Sequence, residues 1–302
     1  MCLRRFLCPR LADRPRRRVR ARAPSVWAGL LALGALVPVP PAWAAAADRP
    51  LHALVTGDES RGWEGVGRLE LGGGGFCTGA LIATDLVLTA AHCLFDKTTG
   101  GRLPLERMEF RAGWRNGRAE AYRGIRRGAV HPDYVPGAEA SVGRVRHDLA
   151  LLQLDRAIRL PGLVPFGVAP QPGQGDAVGV VSYALDRSEV PSLQEVCHVL
   201  AGIDGVVMLS CDVDFGASGA PVFRVENGVP RIVSVVSAKA EMDARKVALG
   251  STVEEGLEIL RARLAGGGTE SAAPPVSEAP LSPMRRFGAG TARSAGARFL
   301  RP

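Results

Sequence analysis

Residues 87–93 read VLTAAHC, and this stretch decides the fold class. Its first half is an apolar run with a β-branched residue, which is typical of a buried strand. The small residues that follow favour a turn, and His92 and Cys93 stand at its end. The stretch therefore places a histidine at the edge of a β-like segment.

Two further polar residues lie at the edges of β-like segments later in the chain. Asp148 opens the apolar run LALL at 149–152, and Ser218 lies in GASGAP at 216–221. A serine hydroxyl is a poor nucleophile at neutral pH and needs a base within hydrogen-bond reach. A histidine such as His92 can accept that proton and return it. A carboxylate can orient the imidazole and stabilise its charged form.

The order and setting of these residues resemble the trypsin/chymotrypsin-like serine peptidases. The family motif is complete at 89–93 (TAAHC), and the run at 147–154 (HDLALLQL) is similar to its Asp-Leu/Ile-Ala-Leu segment. Around Ser218 the match is partial, because the commonest form of the family has aspartate before the serine and Gly-Gly after it. Here Ala217 precedes the serine and Gly-Ala-Pro follows it, which resembles the bacterial trypsin-like or glutamyl-endopeptidase-like branch.

The resemblance implies a serine endopeptidase, a hydrolase that cleaves peptide bonds through an acyl-enzyme. Ser218 would be the nucleophile, His92 the general acid/base and Asp148 the orienting carboxylate. The backbone N–H groups of Gly216 and Ser218 would form the oxyanion hole, with each donor worth about 3–4 kcal/mol. The alternatives are a non-catalytic binding protein on the same scaffold and an esterase-like hydrolase. An α/β-hydrolase is excluded, since it needs Gly-x-Ser-x-Gly at a strand-to-helix turn and the order serine, acid, histidine.

The body of the chain predicts an all-β fold, because short β-like runs alternate with Gly, Pro and Asp turns. The resemblance implies two antiparallel six-stranded β-barrels with a C-terminal helix and an active site in the cleft between the barrels. A capping box of Ser251 and Glu254 predicts the start of that helix. We expect a solvated edge around Arg123, Arg126 and Arg127. The predicted strands are Val66–Leu71, Gly79–Ala83, Leu86–Thr89, Arg107–Ala112, Leu149–Leu154, Ala177–Ser182, Glu195–Leu200, Val206–Cys211, Pro221–Val225 and Arg231–Ser237.

Four segments follow from this pattern and from the composition of the ends. They are a secretory signal peptide (1–44), an N-terminal β-barrel (48–160), a C-terminal β-barrel with the helix (161–264) and a disordered tail (265–302). The signal is predicted by an Arg-rich start, an apolar stretch and a small-x-small cleavage site at 42–44. The tail is rich in Gly, Ser, Ala, Pro and Arg and has few large apolar residues.

The net charge of +8 belongs to the leader, because residues 1–22 contain nine Arg and one Asp. The rest of the chain is close to neutral, so the sequence indicates no nucleic-acid partner. We expect a secreted or periplasmic monomer that acts on proteins or peptides and has no stable membrane anchor after signal cleavage. We expect no cofactor and no metal, since no Cys-x₂-Cys or paired histidine spacing is present.

Four cysteines remain after the predicted leader, and an even number in an exported chain indicates two disulfides. Four cysteines allow three pairings, and the sequence alone does not choose among them. The family resemblance implies a bridge between Cys77 and Cys93, which leaves Cys197 and Cys211 as the second pair.

Three residues are candidates for the substrate pocket. Asp212 lies six residues before Ser218 and resembles the acidic base of the trypsin pocket, which would attract Arg or Lys; small apolar residues are the alternative. Ser234 and Val236 stand where the family often has Ser-Trp-Gly, and a valine there would narrow the pocket.

The residues that activate animal members of the family are missing from this chain. In those proteins the aspartate before the serine binds a new N-terminus that proteolysis releases. Here the position is Ala217, and the Ile-Val-Gly-Gly start is absent after Asp48. The sequence therefore predicts an oxyanion loop held by its own turn geometry and by packing around Phe215 and Pro221.

Overall fold

The computed structural model describes residues 47–137, 141–242, 244–267 and 298–299. The strands are β1 (His52–Ala53), β2 (Val66–Glu70), β3 (Phe76–Ala83), β4 (Leu86–Thr89), β5 (Glu109–Ala112), β6 (Ala121–Val130), β7 (Ala150–Leu154), β8 (Gly167–Val168), β9 (Ala177–Ala184), β10 (Arg187–Ile203), β11 (Val206–Leu209), β12 (Pro221–Glu226), β13 (Val229–Met242), β14 (Arg245–Thr252) and β15 (Arg298–Phe299). The α-helices are α1 (Val142–Arg146) and α2 (Glu254–Ala265), and short 3₁₀ helices span Ala91–Leu94 and Leu105–Arg107. No helix in this part of the chain is long and apolar enough to cross a membrane.

The first sheet is a closed barrel of six antiparallel strands in the order β2-β3-β4-β7-β6-β5. Apolar side chains from these strands fill it, and Leu69, Leu81, Leu88, Phe110 and Leu152 have no exposed surface. Their burial explains why β4 and β7 are continuous apolar runs, since side chains on both faces of a strand are covered in a small barrel. The predicted first barrel is confirmed.

The second sheet has the order β1-β10-β11-β14-β13-β12-β9, and β9 also pairs with β10. That last pairing closes six of the strands into a ring. The short α2 follows β14 and buries Leu257, Leu260 and Leu264. The mostly β architecture and its small C-terminal helix agree with the expected two-barrel fold.

Several details differ from the sequence predictions. β1 belongs to the second sheet, where it pairs with β10, although it lies in the segment assigned to the first barrel. β6 and β14 were missed as strands. The predicted solvated edge is part of β6, and Arg127 donates to Gln153 and to the carbonyl of Leu264, which ties the first barrel to α2. The spacing of arginines in the sequence cannot show that β7 and α2 supply hydrogen-bond acceptors for one of them.

Ser251 does not cap α2, contrary to the predicted capping box. It lies in β14, has no exposed surface and donates its hydroxyl to the carbonyl of Val145. The N-cap is Val253, which makes no side-chain hydrogen bond to the helix.

The sequence predicts a signal peptide at the N-terminal end and a disordered tail at the C-terminal end. The signal segment at 1–44 lies outside the described residues. Within the predicted disordered tail, Arg298 and Phe299 form β15 and pair with β13, so disorder is wrong for these two residues. Composition describes what a segment can bury, but it does not show that a sheet edge elsewhere supplies backbone partners.

Two disulfides join the predicted pairs. Cys77 is bonded to Cys93, with the Cα atoms 6.2 Å apart, and Cys197 is bonded to Cys211, with the Cα atoms 5.0 Å apart. The first bridge ties β3 to the turn that carries His92.

We expect removal of either bridge by paired Cys→Ser substitution to lower the free energy of unfolding by about 3 kcal/mol, because each closes a short loop. Urea unfolding of each double variant measures this loss. The Cys77→Ser/Cys93→Ser variant should also lose activity, whereas Cys197→Ser/Cys211→Ser is the matched control for stability. A peptide joining Cys77 to Cys211 in a non-reducing digest would contradict the assignment.

Candidate active site

The histidine of the site is held by the end of β4 and by the bridge that follows it. The chain leaves β4 at Thr89 and enters a 3₁₀ turn that contains His92. Cys93 is fixed to β3 by its disulfide. The imidazole is partly exposed, while both of its chain neighbours are buried, so the turn can present the ring without moving.

Asp148 lies between α1 and β7 and is almost fully buried, with 2% of its surface exposed. Its Oδ2 is 2.6 Å from the Nδ1 of His92, and its Oδ1 accepts the backbone N–H of His92 at 2.8 Å. One carboxylate therefore fixes both the main chain and the ring of the histidine.

The charge state of Asp148 follows from this arrangement. Burial raises the pKa of its carboxyl, but the attraction of His92 and the hydrogen bonds from His92 and Ser237 outweigh that effect. The net pKa lies below the ordinary aspartate value, so the buried group is a carboxylate at neutral pH.

Ser237 contacts the candidate site, although the sequence did not single it out. Its Oγ donates to Oδ2 of Asp148, and it lies where the register of β13 against β14 shifts between Val236 and Ala238. Such a bulge re-aims one side chain next to an active site. The sequence alone does not show this bulge, because the extra residue, Ser237, can be recognised only from the pairing of β13 with β14.

Two residues predicted for the substrate pocket lie on the same strand, β13. Ser234 has no exposed surface and donates its hydroxyl to the carbonyl of Ser251, and Val236 is buried in the apolar core of the second sheet. Both side chains are therefore covered by the second sheet, and their part in the substrate pocket stays a prediction. The serine that faces the site stands three positions later in the strand, at Ser237.

The loop that carries Ser218 is pressed against the segment that leads to His92. The carbonyl of Ser218 accepts the N–H of Thr78, and the Thr78 carbonyl accepts the hydroxyl of Thr89. Gly219 has a φ of +80°, and a Cβ there would lie 2.2 Å from the Thr78 oxygen. This position therefore requires glycine, and the close approach brings the serine loop of the second sheet onto β3 and β4 of the first barrel.

The backbone of this loop has two free donors. The N–H groups of Ala217, Gly219 and Ala220 donate to carbonyls, whereas those of Gly216 and Ser218 make no hydrogen bond within the described residues. Free N–H groups on alternate residues of one turn can bind a single oxygen. They stand at the positions predicted for the oxyanion hole.

Gly216 is held by residues that the sequence did not indicate. Its carbonyl accepts the Thr78 hydroxyl at 3.0 Å, and a Cβ on it would lie 2.6 Å from the ring of Phe76. Its φ is +99°, which disfavours any residue with a side chain. Ala217 has no exposed surface, which agrees with a loop that needs no partner charge. Phe215, one of the two predicted supports, contacts Lys239, whose Nζ is 3.6 Å from the ring centroid.

We expect Gly216→Ala to lower kcat by about 10²–10³-fold, because the clash with Phe76 displaces one oxyanion donor. Gly228→Ala is the matched control, since Gly228 has a φ of +80° but open space around it. Steady-state kinetics on one peptide substrate compare the two variants. Equal activity of the two would show that the Gly216 N–H has no part in the reaction.

The acidic residues before Ser218 have different surroundings. Asp212 is exposed, and its backbone N–H donates to the side chain of Gln194 at 2.7 Å. Asp214 accepts the Lys239 ammonium at 2.7 Å, and this hydrogen bond is the main reason that the pKa of Asp214 is lowered. The negative charge of Asp214 is thus balanced by Lys239.

Within the part of the chain that the structure describes, two groups of side chains have the composition of a metal site. Cys77, His92 and Cys93 form one, but both of its thiols are consumed by the disulfide. The other contains His131, Asp133 and His147, whose two imidazole rings stack with centroids 4.7 Å apart. Burial lowers the pKa of His131, as does the neighbouring His147. Nδ1 of His131 also accepts the backbone N–H of Asp133 at 3.3 Å, so this nitrogen is already engaged.

Comparison with known proteins agrees with this geometry. Residues 77–230 match the family model for the trypsin-like peptidase domain. The chain belongs to the trypsin-like serine peptidases. It is 28% identical to human chymotrypsin-like elastase family member 1 over 206 residues, which cover 56% of this chain and 74% of that protein. It is 35% identical to the modular serine protease of Drosophila melanogaster over 92 residues, which cover 29% of this chain and 14% of that protein.

A comparison with solved structures concerns the fold. A solved Glu endopeptidase in complex with MPD superposes with a TM-score of 0.57 at 17% identity and covers 73% of this chain and 99% of its own. The identity is low, so this likeness concerns the fold. The expected trypsin/chymotrypsin-like serine peptidase is confirmed, and the chain is a serine endopeptidase that acts on proteins or peptides.

Proposed function

We propose that this peptidase cleaves peptide bonds with a triad of Ser218, His92 and Asp148. The observation that carries the proposal is the double contact of Asp148 with His92, which the Ser218 loop approaches through Thr78 and Thr89. Because Asp148 binds Nδ1, the proton of a neutral His92 is held on that nitrogen. Its Nε2 is then left to accept a proton.

The reaction follows in two halves. Ser218 Oγ attacks the carbonyl carbon of the peptide, and its proton passes to His92 Nε2. The N–H groups of Gly216 and Ser218 bind the oxyanion of the tetrahedral intermediate. The proton then passes to the leaving amine, the C–N bond breaks and an acyl-enzyme remains. A water molecule gives a proton to His92 and attacks the ester carbon; His92 then returns that proton to Ser218 Oγ as the acyl C–O bond breaks, which releases the new carboxylate and the free serine.

The surroundings of the carboxylate support this role. Asp148 stays ionised in the buried site because His92 and Ser237 compensate for its loss of hydration. A carboxylate in that place favours the imidazolium that forms during each proton transfer. Because the Ser237 hydroxyl donates to the same oxygen, it restricts the position of Oδ2.

We also propose that the enzyme works outside the cytoplasm as a monomer, without a membrane anchor and without a nucleic-acid partner. Two disulfides within 47–267 support an oxidising compartment. The basic and apolar leader of the sequence supports export, and the near-neutral remainder gives no reason for nucleic-acid binding.

A fluorophosphonate probe tests the acyl-enzyme proposal, because it reacts with a serine that an adjacent base activates. We expect one label per chain, located on Ser218 by peptide mapping, and no label on Ser218→Ala. A binding protein on the same scaffold would stay unlabelled. Turnover of matched ester and amide substrates separates a peptidase from an esterase, which would hydrolyse the ester alone.

We expect residues added ahead of Asp48 to leave activity unchanged. Ala217 is buried among apolar side chains and offers no charge to an N-terminal ammonium. Asp48 is bound elsewhere, 2.7 Å from His198 Nδ1. Kinetics of a protein with several uncleavable extra residues measure this. Inactivity that cleavage at one internal site relieves would contradict the prediction.

A further inference from the structure

Strand β13 has one edge that is only partly covered by the body of the fold. On one side it pairs with β14 as far as Met242. On the other side β12 pairs with it only as far as Val235, opposite Pro221. Val236 completes this side, since its N–H donates to Ala220 and its carbonyl accepts from Gly219. The loop of Ser218 therefore ends on the same edge of β13 that β12 leaves open.

Closer to the end of β13, β15 pairs with this open edge. This strand pairs antiparallel with β13, with Phe299 opposite Ala240 and Arg298 opposite Glu241. Since β14 occupies the other side of these two residues, β15 lies on the edge that carries the Ser218 loop. Between the loop and β15 lie residues 237–239, beginning with the serine that binds Asp148.

The direction of β15 determines what it can do. Antiparallel pairing means that the chain advancing from Arg298 to Phe299 moves toward lower numbers in β13. It therefore advances toward Ser237 and, beyond it, toward the loop of Ser218. An extended peptide on this edge, with the same direction, would bring its next residues to the catalytic serine.

We propose that β15 is a built-in peptide ligand that occupies the edge of β13 used by extended substrates and competes with them. This inference rests on the proposed function of the same site. Edge addition is held by main-chain hydrogen bonds, so a segment of the protein's own chain and an unrelated substrate can use the same edge. A ligand in the same chain also has a high effective concentration, which raises the concentration of substrate needed to displace it.

Truncation after Gly267 tests the proposal. We expect KM for a substrate with five or more residues ahead of the cleaved bond to fall by about tenfold, since the competing segment is removed. We expect kcat to stay the same, and KM for a single-residue ester, which does not reach β15, to change less than about twofold. Equal KM values for the extended peptide in the full and truncated proteins would overturn the proposal.

A second variant keeps the chain at full length. Arg298→Pro with Phe299→Pro removes both N–H donors of β15, so whichever one pairs with β13 is lost. It should behave as the truncated protein does. The matched control, Ser271→Pro with Ala272→Pro, places the same two prolines elsewhere in the tail and should behave as the wild type. Identical kinetics of the two double variants would refute the role of β15.

A binding measurement removes the dependence on catalysis. A fluorescent peptide of residues 294–302 should bind the truncated Ser218→Ala protein, and the same peptide with prolines at 298 and 299 should not. Equal binding of the two peptides would overturn the proposal. Failure of the catalytic proposal would appear differently, as absence of fluorophosphonate labelling in both the full and truncated proteins.

Discussion

Ser218→Ala and His92→Ala are each expected to lower peptidase turnover by about 10⁴–10⁶-fold, because the first removes the nucleophile and the second its base. Both side chains are small or partly exposed, so the fold should survive the substitutions. Residual hydrolysis would reflect the free N–H groups of Gly216 and Ser218, which remain in both variants. Single-turnover kinetics on a chromogenic peptide measure the loss.

Matched controls are available in the same chain. Ser188→Ala changes a serine whose hydroxyl contacts the neighbouring Glu189, and His52→Ala changes an exposed histidine of β1. Both should keep wild-type activity. Loss of a nucleophile leaves far less than about a tenth of the turnover. If Ser218→Ala keeps more than about a tenth, the assignment of Ser218 as the nucleophile is wrong.

Asp148→Asn is expected to lower kcat by about 10⁴-fold at neutral pH. An amide at this position can donate to Nδ1, which would stabilise the tautomer that carries its proton on Nε2. His92 could then no longer accept the proton of Ser218. Ser237→Ala removes only one hydrogen bond to the carboxylate and should cost less than about tenfold. Kinetics of both variants across pH 5–9 separate the orientation of the His92 ring from the charge of residue 148. Equal losses of kcat in Asp148→Asn and Ser237→Ala would contradict the expected order of their effects.

Asp148 also gives a stability prediction with a defined sign. Its pKa in the folded protein is lower than its ordinary value, so its ionised form stabilises the fold. This contribution is complete above the unfolded pKa of about 3.9 and is lost as the pH falls through the lower folded pKa. Urea unfolding at several values below pH 4 should show a steeper loss for the wild type than for Asp148→Asn. Parallel curves would contradict the lowered pKa.

The sequence predicts the parts of the site that depend on local pattern. His92 and Cys93 closely follow an apolar strand within a motif of adjacent residues, and this pattern can be recognised without a structure. Ser218 lies between Gly216 and Gly219, which both have a positive φ. At Gly219 the fold also leaves no room for a Cβ, because the Thr78 oxygen lies too close. The bridge between Cys77 and Cys93 follows the resemblance for the same reason, because Cys93 lies next to the histidine of the motif, and Cys197 and Cys211 are the pair that remains.

The residues that were missed depend on pairing between distant segments. Thr78 supports the serine loop from another barrel, and nothing near it in sequence indicates that role. Ser237 was missed because a bulge changes which serine of β13 faces Asp148. Ser251 resembled a helix N-cap. It is instead buried in β14 and donates its hydroxyl to Val145 of α1, so this tertiary contact outweighs the local preference of serine for an N-cap. Such choices are made by tertiary contacts, which override local sequence signals.

Asp148 receives hydrogen bonds from His92 of the first barrel and from Ser237 of the second sheet. The proposed nucleophile, Ser218, lies in the loop that leads into β12 of the second sheet, so the proposed triad needs both halves of the molecule. If the proposed triad is correct, we expect a chain in which only one half has folded to have no peptidase activity. Peptidase activity would then report that both halves have folded and packed together.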